Sequence, residues 1–209
     1  MVSNFGWNSI AKIYDFVAGE IDEQLYGEVI RSLGNLDNLL LDEFGCGTGN
    51  LTIKFPKTVK VRAIDYSPNA IEIARKKTKD NITFYVMDFY RKRLEGRADK
   101  IVACRSMYNP DLSRSMEILS NQVNDGGLVI IAHPRENLRR YLFPRIKRKK
   151  TLSVNHLVKS MNRVMNNMNL IDYSLFHAEK FKEIGRRHFN EVDVKLAGYE
   201  THYIVSLIK

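Results

Sequence analysis

Apolar positions recur along this chain with two different periods. Short apolar runs that stop at a glycine or a carboxylate are typical of buried strands in a parallel sheet. They predict strands over residues 39–44, 59–64, 82–87, 100–104, 128–132, 170–176 and 199–208. Apolar residues three and four positions apart predict amphipathic helices over residues 7–17, 21–33, 68–79, 112–123 and 155–168. Strands that alternate with helices predict an α/β fold with a doubly wound sheet.

The turn after the first predicted strand carries three glycines at alternate positions. Gly45, Gly47 and Gly49 closely follow Glu43. Glycine allows positive φ and has no Cβ, so the backbone of such a turn can lie directly against a ligand. The dinucleotide-binding fingerprint would place glycine or alanine where this chain has Asn50. The turn therefore disfavours a bound pyrophosphate and a nucleotide-dependent oxidoreductase, and it offers Glu43 as an acceptor for a cationic or amino-bearing ligand.

Three successive predicted strands each end in a carboxylate. Glu43 follows the first strand's apolar run, Asp65 ends the second strand, and Asp88 ends the third. Ligands of doubly wound sheets bind outside the carboxyl ends of the strands, where an acid on the second strand can accept hydrogen bonds from ribose hydroxyls. We therefore expect the three acids to converge on one crevice.

Four segments resemble motifs of the class I S-adenosylmethionine-dependent methyltransferases of the small-molecule type. The sequence E-F-G-C-G-T-G at 43–49 resembles the first motif, and A-I-D-Y-S-P at 63–68 resembles the second. The sequence V-M-D-F at 86–89 resembles the third motif, and D-G-G-L-V-I at 125–130 resembles the turn into the fifth strand. The resemblance extends from about residue 8 to the C-terminus.

The chain departs from the family pattern at two places. Glu43 stands where the first motif usually has aspartate, and an additional acid, Asp42, precedes it. The segment between Asn50 and Val59 is short.

The resemblance implies one Rossmann-like domain over residues 1–209. Its seven-stranded sheet would be mostly parallel with an antiparallel last strand. Cap helices would occupy residues 1–36, the cofactor-binding half residues 37–133, and the substrate-side half, with a basic helical insertion, residues 134–209.

The resemblance also implies S-adenosyl-L-methionine as the methyl donor, with the methyl group transferred by in-line displacement. Asp65 would hold the ribose, Asp88 the adenine amino group, and the glycine turn the methionine moiety. The predicted cofactor-binding set is Glu43, Gly45, Cys46, Gly47, Gly49, Asp65, Tyr66, Asp88, Phe89 and Arg105.

The acceptor side of the site has three catalytic candidates, none of which the sequence selects. His133 follows the fifth strand and is either a general base, since histidine titrates near neutrality, or a hydrogen-bonded structural residue. Tyr108, like Arg105, follows the fourth strand and is a pocket candidate. The resemblance adds Tyr14, in a helix that would close over the sulfonium. No metal is expected, because no metal-ligand spacing surrounds His177, His188 or His202.

Composition sets limits on the class of protein. A length of 209 residues suits one domain, and 44% hydrophobic with 27% charged residues is ordinary for a globular protein. No apolar run approaches the roughly 20 residues of a membrane span. The first ten residues lack the pattern of a signal peptide, and the two cysteines, Cys46 and Cys104, fit no metal spacing. These features predict a cytoplasmic protein.

The formal charge of +9 is concentrated in one segment. Arg135 to Lys150 carries eight basic side chains against one acid, with Tyr141, Leu142 and Phe143 among them. It could contact an anionic membrane surface or RNA, or it could be a solvated helix end that leads to a lid.

Three functional interpretations therefore stay open. The first is a methyltransferase for a small-molecule or lipid-like, amphiphilic or anionic acceptor. The second is an RNA or protein methyltransferase that docks through the basic segment. The third is a non-catalytic cofactor-binding module.

Overall fold

A seven-stranded sheet forms the centre of the part of the chain that the structure describes. The computed structural model describes residues 23–77, 79–107, 111–135, 177–197 and 202–209. Within them, helix α1 covers residues 23–33. The later helices are α2 (Pro68–Arg75), α3 (Leu112–Gln122) and α4 (Ala178–Gly185). The strands are β1 (Leu40–Phe44), β2 (Lys60–Asp65), β3 (Ile82–Val86), β4 (Ala98–Cys104), β5 (Val123–Pro134), β6 (Glu191–Ala197) and β7 (His202–Ile208).

The strand order is that of a doubly wound sheet. The strands lie in the order β3-β2-β1-β4-β5-β7-β6, and β1 pairs in parallel with both β2 and β4. The chain therefore reverses its winding direction between β1 and β4, which is where sheets of this kind bind ligands. Strand β7 runs antiparallel to its neighbours β5 and β6. The predicted mostly parallel sheet with an antiparallel last strand is confirmed.

Alternate residues of the central strands pack into two apolar layers. Val102 belongs to the layer beneath α1 and α2, with Leu25 and Ile71. Ile101 points to the opposite layer, beneath α3 and α4, with Phe181. Because successive side chains of a strand point to opposite faces, both faces of β4 are buried.

The predicted helix starts agree with the local capping chemistry. Ser67 caps α2, since its Oγ accepts a hydrogen bond from the Ala70 N–H at 3.2 Å, and proline occupies the first helical position. Asp111 caps α3 in the same way, through the Arg114 N–H at 2.9 Å.

Several elements differ from the prediction. Between β1 and β2 the chain forms a short 3₁₀ turn, Thr52–Lys54, which was not predicted. Strand β5 is longer than predicted, and α2 ends at Arg75. Helix α4 and strand β6 were not predicted. The predicted helices at 7–17 and 155–168 and the strand at 170–176 lie outside the described residues.

No described helix is long and apolar enough to cross a membrane. The proposed division of the chain at residues 36 and 133 stays a prediction.

Candidate active site

Three carboxylates lie at the same edge of the sheet, as their positions at strand ends predicted. Glu43 is the last residue but one of β1, and Asp65 is the last residue of the adjacent parallel strand β2. Glu43 pairs with Ala63, and Asp65 pairs with Val86. The Met87 N–H donates to the Asp65 carbonyl at 2.8 Å and keeps the chain beside β2 until Asp88. The acids therefore follow one another along the edge from β1 to β3.

The glycine turn is held against the end of β2. The N–H groups of Gly45 and Cys46 donate to the Ile64 carbonyl at 2.7 and 2.9 Å. Gly45 has φ +75°, and a Cβ on it would lie 2.1 Å from the Cβ of Ser106. The Ser106 hydroxyl in turn donates to the Phe44 carbonyl at 2.5 Å. Only glycine allows β1 and the chain after β4 to approach so closely.

Asp65 links the glycine turn to the start of α2. One of its oxygens accepts the Gly47 N–H at 2.9 Å, and the other accepts the Ser67 N–H at 2.9 Å. Burial raises the pKa of Asp65, while these backbone hydrogen bonds oppose the shift. A carboxylate oxygen can accept two hydrogen bonds, so Asp65 retains capacity for a hydroxyl donor.

Two observations at this turn and beside it indicate a place for a ligand. A Cβ on Gly47 would meet no atom within 4 Å, so open space borders the turn there. Glu43 is only 2% exposed, and its Oε2 has no hydrogen-bond partner among the described residues. Burial raises the pKa of Glu43 to about 8. A buried acceptor without a partner is rare in proteins and marks a position where a ligand donor fits.

The additional acid before Glu43 has a structural role. Asp42 is fully buried on the opposite face of β1, where it accepts two hydrogen bonds from the Arg62 guanidinium at 2.6 and 2.8 Å. Adjacent side chains of a strand point to opposite faces, so only one of the two acids can border the glycine turn. That acid is Glu43.

Asp88 is more exposed than the other two acids. Its side chain is 42% exposed, accepts the Tyr90 N–H at 3.0 Å and lies 3.3 Å from the Arg91 Nε. Tyr66 lies within the electrostatic influence of Asp65 and Asp88, and burial together with these two charges raises its pKa to about 12. Phe89 is buried and stacks on Phe44 with ring centroids 5.0 Å apart. The predicted cofactor contacts of Tyr66, Asp88 and Phe89 stay predictions.

Arg105 lies on the other half of the edge, after β4. Its side chain is largely buried, with the residue 8% exposed. Its backbone N–H donates to the Ala132 carbonyl at 2.8 Å, and its φ of +54° is unusual for a residue with a side chain. Its guanidinium lies 5.8 Å from the Tyr26 ring centroid of α1 and 3.3 Å from the Tyr26 hydroxyl. Tyr26 was not predicted as a site residue, although a tyrosine beside the apolar stripe of the helix over 21–33 is the signal that could have identified it.

Of the three catalytic candidates, only His133 lies among the described residues. His133 is fully buried, its Nδ1 lies 2.8 Å from the Pro134 carbonyl, and its ring packs 5.9 Å from Phe181. Burial lowers its pKa to about 4, so the ring is neutral at physiological pH. Base catalysis by His133 stays a prediction that needs the ring to become accessible. Tyr14 and Tyr108 lie outside the described residues.

Cys46 and the basic segment complete the predicted set. Cys46 is buried in the glycine turn, and burial with the neighbouring Glu43 and Asp65 raises the pKa of its thiol far above the ordinary value. Of the basic segment, only Arg135 is described, with its guanidinium 5.5 Å from the Tyr203 ring centroid. Among the described residues, no group of three or more histidines, cysteines or carboxylates could hold a metal ion.

Together these groups suit a ligand with amino and hydroxyl donors better than a pyrophosphate. The short 3₁₀ turn after Gly49 supplies no helix N-terminus that could stabilise a phosphate. The edge instead offers acceptor oxygens of Glu43, Asp65 and Asp88 beside an open glycine surface. S-adenosylmethionine carries an ammonium group, ribose hydroxyls and an adenine amino group, so the residues present fit it.

Comparisons with known proteins agree with this geometry. The sequence model of the family described as "Methyltransferase domain" matches residues 40–191, more than half of the chain. No curated protein matches the chain significantly.

Solved structures share the fold. A proposed S-adenosyl-L-methionine-dependent methyltransferase from Methanococcus maripaludis matches with a TM-score of 0.69 and 20% identity, over 100% of this chain and 94% of that one. The N-methyltransferase NodS from Bradyrhizobium japonicum WM9, in complex with S-adenosyl-L-homocysteine, matches with a TM-score of 0.57 and 13% identity, over 91% and 88%. The chain spans only 52% of a Listeria monocytogenes protein matched at 16% identity, over 53% of this chain, with a TM-score of 0.48, and that match carries no argument.

Proposed function

Because this chain belongs to the methyltransferase-domain family and takes S-adenosylmethionine as its methyl donor, we propose that its acceptor is a small-molecule or lipid-like compound with an anionic group. The observation that carries this proposal is the distribution of charge along the sheet edge. Acids border β1, β2 and β3, whereas cations follow β4 and β5. The donor and the acceptor would therefore occupy halves of opposite charge.

The acidic half provides the contacts for the donor. Glu43 Oε2 would accept from the ammonium group, and the free acceptor capacity of Asp65 would serve the ribose hydroxyls. Asp88 would accept from the adenine amino group at the exposed end of the row. Burial strengthens the contact of Glu43 in particular, because a charge-assisted hydrogen bond gains strength away from water.

The cationic half provides the contact for the acceptor. Arg105 is buried at the end of β4, and the Tyr26 ring and hydroxyl fix its guanidinium. Strained backbone geometry such as its positive φ tends to occur at functional sites. Arg135 adds a second, exposed cation at the end of β5. A carboxylate or phosphate on the acceptor would be oriented by a planar guanidinium better than by lysine.

The chemical step needs positioning more than acid–base groups. When bound, S-adenosylmethionine supplies an electrophilic methyl group on a positively charged sulfur. The protein's task is to hold the acceptor atom in line with that methyl group, and orientation of this kind contributes much of the rate of a two-substrate reaction. The cap helix α1, through Tyr26 and Arg105, would fix the acceptor and exclude water from the edge.

The test is transfer of tritiated methyl groups into fractionated cell extract. We expect label in the small-molecule or lipid pool, in species that bind an anion exchanger. Label in RNA or protein would refute the acceptor class and favour docking through Arg135 to Lys150. Donor binding without label in any pool would indicate a non-catalytic module.

A matched pair of variants tests the role of Arg105. Arg105→Gln should lower labelling by about tenfold or more at limiting acceptor, since a charge-assisted hydrogen bond contributes about 1.5–3 kcal/mol. Arg186→Gln, which removes an exposed arginine after α4, should change nothing. A loss confined to donor affinity in Arg105→Gln would place Arg105 on the donor, as the sequence predicted, and would refute its role with the acceptor.

A further inference from the structure

A groove lies between the loop after β3, directly beyond Asp88, and the beginning of α3. Phe89 to Arg93 form one wall, and the first two turns of α3, with Arg114 and Glu117, form the other. Its volume of about 510 Å³ is in the range of small-molecule binding sites. Phe89 and Ile118, both largely buried, form an apolar floor.

The loop that forms the first wall is held rigidly. The Asp88 carbonyl accepts the N–H groups of Arg91 and Lys92, both at 3.0 Å. Further along, the Leu94 N–H donates to the Gln122 side chain of α3 at 2.9 Å. These bonds fix the loop before any ligand arrives, so a ligand would not have to order it.

A second set of hydrogen bonds joins the two walls. The Arg114 guanidinium donates to the Tyr90 carbonyl at 3.2 Å, and the Tyr90 hydroxyl lies 3.0 Å from the Ser115 Oγ. The width of the groove is therefore set by contacts that bridge it. The groove is preformed.

Cations line both walls of this groove. Arg91, Lys92 and Arg93 project from the loop and Arg114 from the helix, against two acids, Asp111 and Glu117. The carboxylate of Asp111 already accepts the Arg114 N–H as the cap of α3, and Arg91 lies beside Asp88. Lys92 and Arg93 form no ion pair with any described residue. The lining thus holds an excess of two positive charges, and two of its cations are not neutralised.

From this arrangement we propose that the groove binds the oligophosphate group of a small molecule. Cations that lie on both walls can share the oxygens of two linked phosphates. Arginine also binds phosphate in a bidentate manner, which suits Arg93 and Arg114. The apolar floor and the carboxylate of Glu117 would accommodate the organic part of the ligand, for example a nucleoside with hydroxyl donors.

A polynucleotide is the competing ligand class. Its backbone needs a long path of cations along the surface, with salt-dependent affinity that grows with the number of phosphates. The groove instead places its cations beside one apolar floor in a volume of about 510 Å³, which favours a compact ligand.

The test is calorimetric titration of the full chain with inorganic pyrophosphate at constant ionic strength. We expect one site per chain with a Kd below about 1 mM. The double variant Lys92→Gln/Arg93→Gln should weaken binding about tenfold or more, since it removes both unpaired cations. The control is Lys57→Gln/Lys60→Gln, which removes the same charge from exposed residues at the start of β2. This variant should leave binding unchanged within about twofold.

Four outcomes would overturn the proposal. The first is the absence of pyrophosphate binding to the wild-type chain. The second is an equal loss in both double variants, which would reduce the effect to net charge. The third is tighter binding of a 12-nucleotide oligouridylate that pyrophosphate does not displace. Amide shifts confined to residues 89–93 and 111–118 upon titration would support the proposal even if a variant failed to fold. Shifts elsewhere would overturn it.

Discussion

Replacing Glu43 with glutamine should stabilise the protein without ligand and weaken its binding of the methyl donor. Glu43 is buried, its Oε2 has no partner among the described residues, and its pKa is raised from 4.5 to about 8. Glutamine has nearly the same shape and no charge to desolvate. The substitution therefore removes a cost of folding that the wild-type residue carries.

The magnitude follows from proton linkage. In the unfolded chain Glu43 ionises above pH 4.5, whereas in the folded chain it keeps its proton until about pH 8. Wild-type stability should therefore fall as the pH rises from 4.5 to 8 and stay level above 8. At pH 7, which is 2.5 units above the unfolded pKa, the cost is about 3 kcal/mol at 1.36 kcal/mol per unit. At pH 5 it should be below about 1 kcal/mol by the same conversion.

Two assays measure the two halves of this prediction. Urea unfolding at pH 5, 6, 7 and 8 should give a free-energy difference between Glu43→Gln and wild type that grows with pH. Calorimetry with S-adenosylmethionine in two buffers of different ionisation enthalpy should show that wild type releases close to one proton at pH 7. The variant should release none through this residue and should bind about ten- to a hundredfold more weakly, because it loses a charge-assisted hydrogen bond.

The matched control is the neighbouring acid, Asp42. Asp42→Asn also removes a buried carboxylate from β1, but it leaves the Arg62 guanidinium without its bidentate partner. That variant should be destabilised by about 3 kcal/mol, opposite in sign to Glu43→Gln. A Glu43→Gln variant that is less stable than wild type, or whose stability difference does not vary with pH, would refute the reasoning.

Three further predictions concern the site and its surroundings. Gly45→Ala should lower stability by about 2 kcal/mol or more in thermal unfolding, because its methyl group would meet Ser106 at 2.1 Å and φ is +75°; an unchanged melting temperature would contradict the close approach. Asp65→Ala should weaken donor binding in calorimetry more than Asp88→Ala, since each charge-assisted bond contributes about 1.5–3 kcal/mol and Asp88 is 42% exposed; equal losses would mean that the ribose lies elsewhere. Replacing Arg139, Arg140, Lys147 and Arg148 with glutamine should raise the apparent KM for the acceptor and leave donor affinity intact; no change in KM would make that segment ordinary surface charge.

The sheet and the acidic half of the site were predictable because their signals are local. A short apolar run that stops at glycines or at a carboxylate identifies both the strand and its last residue, as Asp65 does for β2. Parallel pairing then fixes which ends share an edge, so the convergence of the acids followed without any knowledge of packing.

The remaining elements were missed for physical reasons. Strand β6 reads E-V-D-V-K-L-A, with mostly exposed or half-buried positions. It lies at the edge of the sheet, and among the described strands it pairs with β7 alone. An edge strand needs no continuous apolar run, and a search for such runs cannot find it. The contact between Arg105 and Tyr26 joins residues 79 positions apart, and no local pattern records it.

The two acids of β1 show how one strand can separate stability from function. Asp42 and Glu43 are both buried, yet Asp42 has its partner within the fold, on the face of β1 that also carries Phe44. Glu43 points to the opposite face, beside the glycine turn, where its Oε2 has no hydrogen-bond partner among the described residues. A buried carboxylate oxygen without a hydrogen-bond partner lowers stability. Such a group persists only where a ligand supplies the missing donor, which is the usual conflict between stability and activity. A residue that destabilises the free protein in this way is for the same reason expected to respond strongly to the donor.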